Sequence, residues 1–119
     1  MGDDTTRAAV DRFNEAFNRH DVDAVMAAMT DDCVFEDTSP PHGTRHEGAA
    51  AVRVAWEQFF AASPTARFDA EDVIVAGDRC VVPWHYTWTD ASGAGSVRGV
   101  DLLRVRDGKV AEKVAYVKG

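Results

Sequence analysis

"RGVDLLRVRDGKV", residues 98–110, decides the fold. Asp107-Gly108 stands between two runs of alternating character, the strongest short-range sign of a β-hairpin. Read with the two-residue period of a strand, Gly99, Asp101, Leu103 and Val105 share one face, and Arg98, Val100, Leu102, Arg104 and Arg106 share the other. Three arginines mark the second face as the wetter one. Asp101 is thus predicted to lie on the dry face of a long strand. A carboxylate there either finds a charged partner, or is pushed up in pKa until it is neutral and donates a hydrogen bond, or is tied structurally to a buried side chain or amide.

Moving outward from this hairpin, strands are expected at about 66–76, 79–90, 96–107 and 109–118, with "AGDR", "DASGAGS" and "RDGK" as turns. In "RCVVPWHYTWTD", Cys80, Val82, Trp84, Tyr86 and Trp88 alternate with Val81, Pro83, His85, Thr87 and Thr89. The aromatic face is either core packing or a flat wall for a ring-shaped ligand. Pro83 cannot donate to a ladder, so it predicts an edge or a bulge.

The N-terminal half has helical periodicity. Val10, Phe13 and Phe17 form one stripe over residues 5–19, capped by Thr5 or Thr6. Asp21 can cap a second helix over 22–29 with Val22, Val25, Met26 and Met29 inward. "CVFED" (33–37) is a short strand and residues 38–48 a loop, since Pro40, Pro41, Gly43 and Gly48 oppose regular structure. A third helix over 49–63 turns Val52, Trp56, Phe59 and Phe60 inward and stops at Ser63-Pro64. Helices first and a meander second predict an α+β fold. Three helices pack on a curved mixed or antiparallel sheet, making a cone that encloses a pocket. Residues 1–119 form a single domain.

The composition narrows the function. Twenty acids against thirteen bases give a net charge of −7, with no basic stripe, which argues against nucleic acid or anionic membrane as partner. No apolar run is long enough to span a membrane. The acidic "MGDDTT" opening is unlike a signal peptide, so the expected location is cytoplasmic. Cys33 and Cys80 fit no metal or redox spacing and are read as reduced core residues. His42 and His46 are four apart in a Pro/Gly loop, a spacing that holds a metal only on a helix, so no metal and no cofactor is expected.

Parity in "CVFED" puts Asp37 on the face of Cys33 and Phe35, with Glu36 outward. Asp37 is read either as a general base at the pocket or as the cap of the Pro-Pro loop. Asp37 and Asp101 are the candidate catalytic pair. Phe13, Phe17, Phe35, Trp56, Phe60, Trp84, Tyr86, Trp88 and Leu103 are the candidate ligand-contacting residues. His42, His85 and the Tyr86 hydroxyl are candidates for polar assistance.

The stretches "RFNEAFNRHDVDAVMAAMTDD", "FEDTSPPHGTRHEG" and "RGVDLLRVRDGKV" resemble the nuclear transport factor 2-like superfamily, in its ketosteroid isomerase and SnoaL-like branches. The resemblance covers nearly the whole chain and implies the cone fold. It places Asp37 at the isomerases' aspartate base and Asp101 at their protonated aspartic acid. Phe13 stands where the isomerases have a tyrosine, and Lys113, Val114 and Ala115 stand where the polyketide cyclases have His-Trp-Asp. The implied function is acid/base chemistry on a small apolar carbonyl compound: isomerisation, cyclisation or dehydration. The alternative is a non-catalytic ligand-binding or dimerisation module. A homodimer is expected from the resemblance.

Overall fold

The computed structural model describes residues 2–119; Met1, part of the "MGDDTT" opening and of the 1–119 domain span, lies outside them. Helix α1 (Gly2–Asn18) buries Thr6, Ala9, Val10, Phe13, Ala16 and Phe17, the stripe that the spacing predicts. It starts earlier than the threonines suggest. Asp3 and Asp4 occupy its first turn, where carboxylates favour the helix dipole, and Asp3 accepts the Gly77 amide at 2.8 Å. Thr6 instead donates its hydroxyl to the Gly77 carbonyl. Helix α2 (Val22–Ala27) is capped by Asp21, which accepts the Ala24 amide at 3.0 Å. His20 turns the chain with φ 52° and is half-buried, stacked on Phe60 and bonded to the Ala66 carbonyl.

Strand β1 (Met29–Glu36) begins four residues before the expected strand, because it pairs in parallel with the distant β7 (Lys109–Val117). Met29 is buried, in β1 rather than in the second helix. Within the expected loop lies a short strand, β2 (Arg45–Glu47), paired antiparallel with β1. Helix α3 (Ala49–Ala62) then buries Val52, Trp56 and Phe60.

The strand read over 66–76 is two: β3 (Arg67–Ala70) and β4 (Ile74–Ala76). Asp72 takes the neighbouring Val73 amide at 2.8 Å, a local bond that competes with the ladder. Both pair with β5 (Arg79–Asp90). Strand β6 (Gly93–Arg106) completes the curved, unclosed sheet in the order β2-β1-β7-β6-β5-β3, with β4 on β5. Pro83 is neither at an edge nor in a bulge. The β5–β6 register runs unbroken from Arg79↔Arg104 to Asp90↔Gly93, and Pro83 sits where β5 changes partner from β3 to β4, its carbonyl taking the Glu71 amide. Its missing N–H falls in that gap, and the facing beyond it is not reversed.

The core lies between the inner face of the sheet and the helices. Cys33 and Cys80 are buried in it as free thiols, and burial pushes both thiols up in pKa. Among the described residues no helix is long and apolar enough to cross a membrane.

Candidate functional site

Strands β6 and β7 build the floor of an internal cavity. Asp101 lies opposite Ala115, and Leu103 opposite Lys113, so Asp101 and Lys113 are diagonal neighbours on the inward face. Both are buried, at 1% and 4% exposure. Lys113 Nζ is 3.4 Å from Asp101 Oδ2, and Trp84 Nε1 donates to Asp101 Oδ1 at 2.9 Å. Burial pushes the Asp101 carboxyl up in pKa; Lys113 and Trp84 pull it back without cancelling the rise. Asp101 is therefore paired with a cation rather than isolated.

Five aromatic rings surround the Lys113 ammonium. It lies 4.6 Å from the Phe17 ring centre, and 5.2 to 5.7 Å from those of Phe13, Trp56, Phe68 and Phe35. Each ring presents its quadrupole to the charge and stands where water otherwise would. The rings also pack on one another, with Phe35 stacked on Trp56 at 4.1 Å.

Gly99 makes room for the third member of the cluster. A Cβ there would meet the Tyr116 carbonyl and lie 2.5 Å from the Trp84 ring, so the indole lies across β6 only because residue 99 has no side chain. Gly99→Ala is expected to displace Trp84 from Asp101 and to cost about 1–3 kcal/mol, as overpacked cores do. Chemical denaturation gives the cost, and near-ultraviolet circular dichroism reports the indole.

Asp37 sits at the rim. Its Oδ1 accepts the Ser39 amide at 3.0 Å, the Ser39 hydroxyl at 2.6 Å and the Thr44 amide at 2.7 Å, and its Oδ2 faces His46 Nε2 at 3.1 Å. Burial raises its pKa, but these hydrogen bonds outweigh it and bring the carboxyl down to about 2. Asp37 thus closes the loop between β1 and β2 while also bordering the cavity. Because its folded pKa lies below the ordinary 3.8, the turn's contribution is complete above that value and disappears as pH falls toward 2. The stability difference between wild type and Asp37→Asn is expected to be greatest above about pH 4 and to vanish on acidification, which denaturant titrations across that range will show.

Gly43 holds the same loop with φ 80°, and a Cβ there would strike the Asp37 carbonyl. Gly43→Ala is expected to cost about 1–3 kcal/mol and to loosen the Thr44–Asp37 bond. Thermal melts and the Thr44 amide proton shift check this.

The cavity has a volume of about 230 Å³, small beside the roughly 300–1,000 Å³ of drug-sized sites. It brings together Asp37, Asp101, Phe17, Phe35, Trp56, Trp84, Tyr86 and Trp88 from the sequence expectations. Phe13, Phe60 and Leu103 pack in the core behind its wall and do not line it. His42 is exposed beside a separate depression outside the rim, and His85 lies on the outer face of β5. Neither reaches the cavity. The Tyr86 hydroxyl is buried without a hydrogen-bond partner in place; burial raises its pKa, and nearby Ser63 moderates the rise. Trp56 Nε1 is likewise buried and unpaired.

Sequence reading missed Lys113, Phe59 and Phe68 as lining residues and His46 as the partner of Asp37. Alternation in "KVAEKVAYV" holds the signal for Lys113, which shares a face with Ala111 and Ala115. Among the described residues no group of three His, Cys, Asp or Glu is placed to hold a metal ion.

An unclosed α+β cone with a small aromatic-lined cavity and a buried acid–base pair defines the class of cone-shaped domains. Within that class the chain belongs to the SnoaL-like domain family of the nuclear transport factor 2-like superfamily, whose family model matches residues 10–113. It is similar to a nuclear transport factor 2-like protein of unknown function from Mesorhizobium loti, at 42% identity and TM-score 0.84, over 100% of this chain and 95% of that one. A proposed SnoaL-like polyketide cyclase from Jannaschia sp. CCS1 shares the fold at 22% identity and TM-score 0.83, over 98% and 88% of the two chains. TerC, co-crystallised with polyporic acid, shares it at 18% identity and TM-score 0.83, over 96% and 92%. No curated protein matches the chain.

Proposed function

We propose that the cone seats a small, flat, largely apolar carbonyl compound and moves a proton on it. The supporting observation is the Asp101–Lys113 pair, 3.4 Å apart, buried, and open only to an aromatic-lined cavity. In this reading Asp101 is the base and Lys113 faces the carbonyl oxygen, where a cation stabilises a developing enolate. The role of base passes from Asp37 to Asp101 on physical grounds. A carboxyl at about 2, with one oxygen filled by three donors, is a poor proton acceptor near neutrality. A carboxyl raised by burial is a better one. Asp37 and His46 then shape the rim. TerC, which shares this fold, was co-crystallised with polyporic acid.

The test is exchange of the α-protons of a small ketone such as 1-indanone for deuterium, followed by nuclear magnetic resonance. Wild type accelerates exchange, with a rate that climbs with pH through the raised pKa of Asp101, and Asp101→Asn loses the acceleration. Unchanged exchange in Asp101→Asn overturns the assignment. Ligand-induced quenching of the tryptophans without exchange selects a non-catalytic binder, a reading favoured by Phe13, which is wholly buried at the isomerases' tyrosine position.

The chain is also proposed to pair with a second copy through the outer sheet face, where Val100, Leu102 and Val114 are half-buried and Tyr116 is 53% exposed. Light scattering gives the mass in solution; a monomer at high micromolar concentration rules this out.

A further inference from the structure

A lysine becomes a carbonyl nucleophile when it lies in an apolar seat beside a group that can take its proton. The chain has lysines at 109, 113 and 118, and only Lys113 is buried. Its Nζ sits among five ring faces and lines the cavity. Its close polar contact is Asp101 Oδ2 at 3.4 Å, long for a charge-assisted hydrogen bond. The pair is therefore near but not locked. Carboxylate with ammonium and carboxylic acid with amine carry the same net charge, and in a water-poor hollow the second form avoids desolvating two ions. Covalent capture draws on the amine form of the pair.

The geometry points to Lys113 as an imine-forming residue that condenses with a small aromatic aldehyde or ketone, with Asp101 carrying the protons. This rests on the reading above, with the same pair and the same carbonyl, and adds a bond from Nζ to the carbonyl carbon. Asp101 takes one proton from the ammonium. The amine lone pair attacks the carbonyl carbon, the C=O π electrons move to oxygen, and Asp101 protonates that oxygen to give a carbinolamine. The nitrogen then sheds a second proton to Asp101, which delivers it to the hydroxyl. Water leaves, and a protonated imine remains beside the Asp101 carboxylate. The net charge of the pair is unchanged and no oxidant is required.

Benzaldehyde is a suitable probe, since a single ring suits a cavity of about 230 Å³. The full chain is incubated with benzaldehyde and sodium cyanoborohydride, which reduces an imine to a stable secondary amine. Intact mass and peptide mapping then locate the adduct, while tryptophan fluorescence follows binding in parallel. One adduct per chain, mapped to Lys113 and lost in both Lys113→Arg and Lys113→Met, is the expected result. The wild-type map stands by itself if either variant fails to fold. Adducts confined to Lys109, Lys118 and the N-terminal amine overturn the inference. Quenching with no adduct on Lys113 also overturns it but leaves the proton-transfer reading intact. Neither quenching nor adduct overturns both.

Discussion

Lys113→Met is expected to cost about 3–5 kcal/mol of stability near neutral pH, the range for leaving one member of a buried ion pair without its partner. The variant keeps a flexible apolar side chain of similar length among the five rings, so the loss is mainly electrostatic. Asp101 remains 1% exposed, with only the Trp84 indole to compensate its charge. Protonation relieves it, so the penalty is expected to shrink as the pH is lowered toward the raised pKa of Asp101. Replacing both partners, Asp101→Leu with Lys113→Met, removes both desolvation costs. That double variant is expected to match wild type or to exceed it by up to about 4 kcal/mol. Urea unfolding of the singles and the double at two pH values measures the coupling. A double variant as unstable as the sum of the singles would show that packing, not charge, dominates there. Since domains are held by only about 5–15 kcal/mol, the single substitution consumes a large part of the total.

Trp56→Ala is the second large effect, expected at about 3–5 kcal/mol. Trp56 is wholly buried on α3 and joins the helix layer to β1. Its indole stacks on Phe35 at 4.1 Å and meets Phe13 and Phe17 edge-on at 5.9 and 5.7 Å. Each well-placed aromatic pair contributes about 0.5–1.5 kcal/mol beyond the area it buries. The substitution also removes one of the faces around Lys113, 5.3 Å from its ammonium. Trp56→Phe keeps part of the stack and leaves no unpaired indole nitrogen, so its cost is expected to be well under half of that of alanine. Thermal and urea unfolding rank the two; equal losses would show that volume at residue 56 is not what the site depends on.

The hairpin at 107–108 and the parity of Asp101 were legible because both are local: a turn residue fixes the first and a period of two fixes the second. The same rule placed Phe35 inward on β1, and Asp37, just past the strand's end, on the side that borders the cavity. The pairing of β1 with β7 was not legible, since it joins segments some eighty residues apart and no local pattern encodes a parallel partner. Strand β2 was hidden because three residues in a Pro/Gly segment are too few to show a period. Lys113 was hidden by its type. A lysine in a strand is normally exposed, and the β7 register shift beside Arg104 and Val105 obscures which face it takes. Phe13 belongs to the helical stripe, and a stripe says which side is buried but not whether a wall or a hollow lies beyond it.

The Asp37 rim and the Asp101–Lys113 floor together make a gate with a sign. The floor charges cancel each other, whereas Asp37 stays ionised at any physiological acidity, with no permanent cation bonded to it. A carboxylated guest approaching the entrance would meet like charge first and gain no surplus positive charge inside. Uncharged dipolar guests would meet no such barrier, so on the proposed reading the pocket would sort small molecules by ionisation before it sorted them by shape.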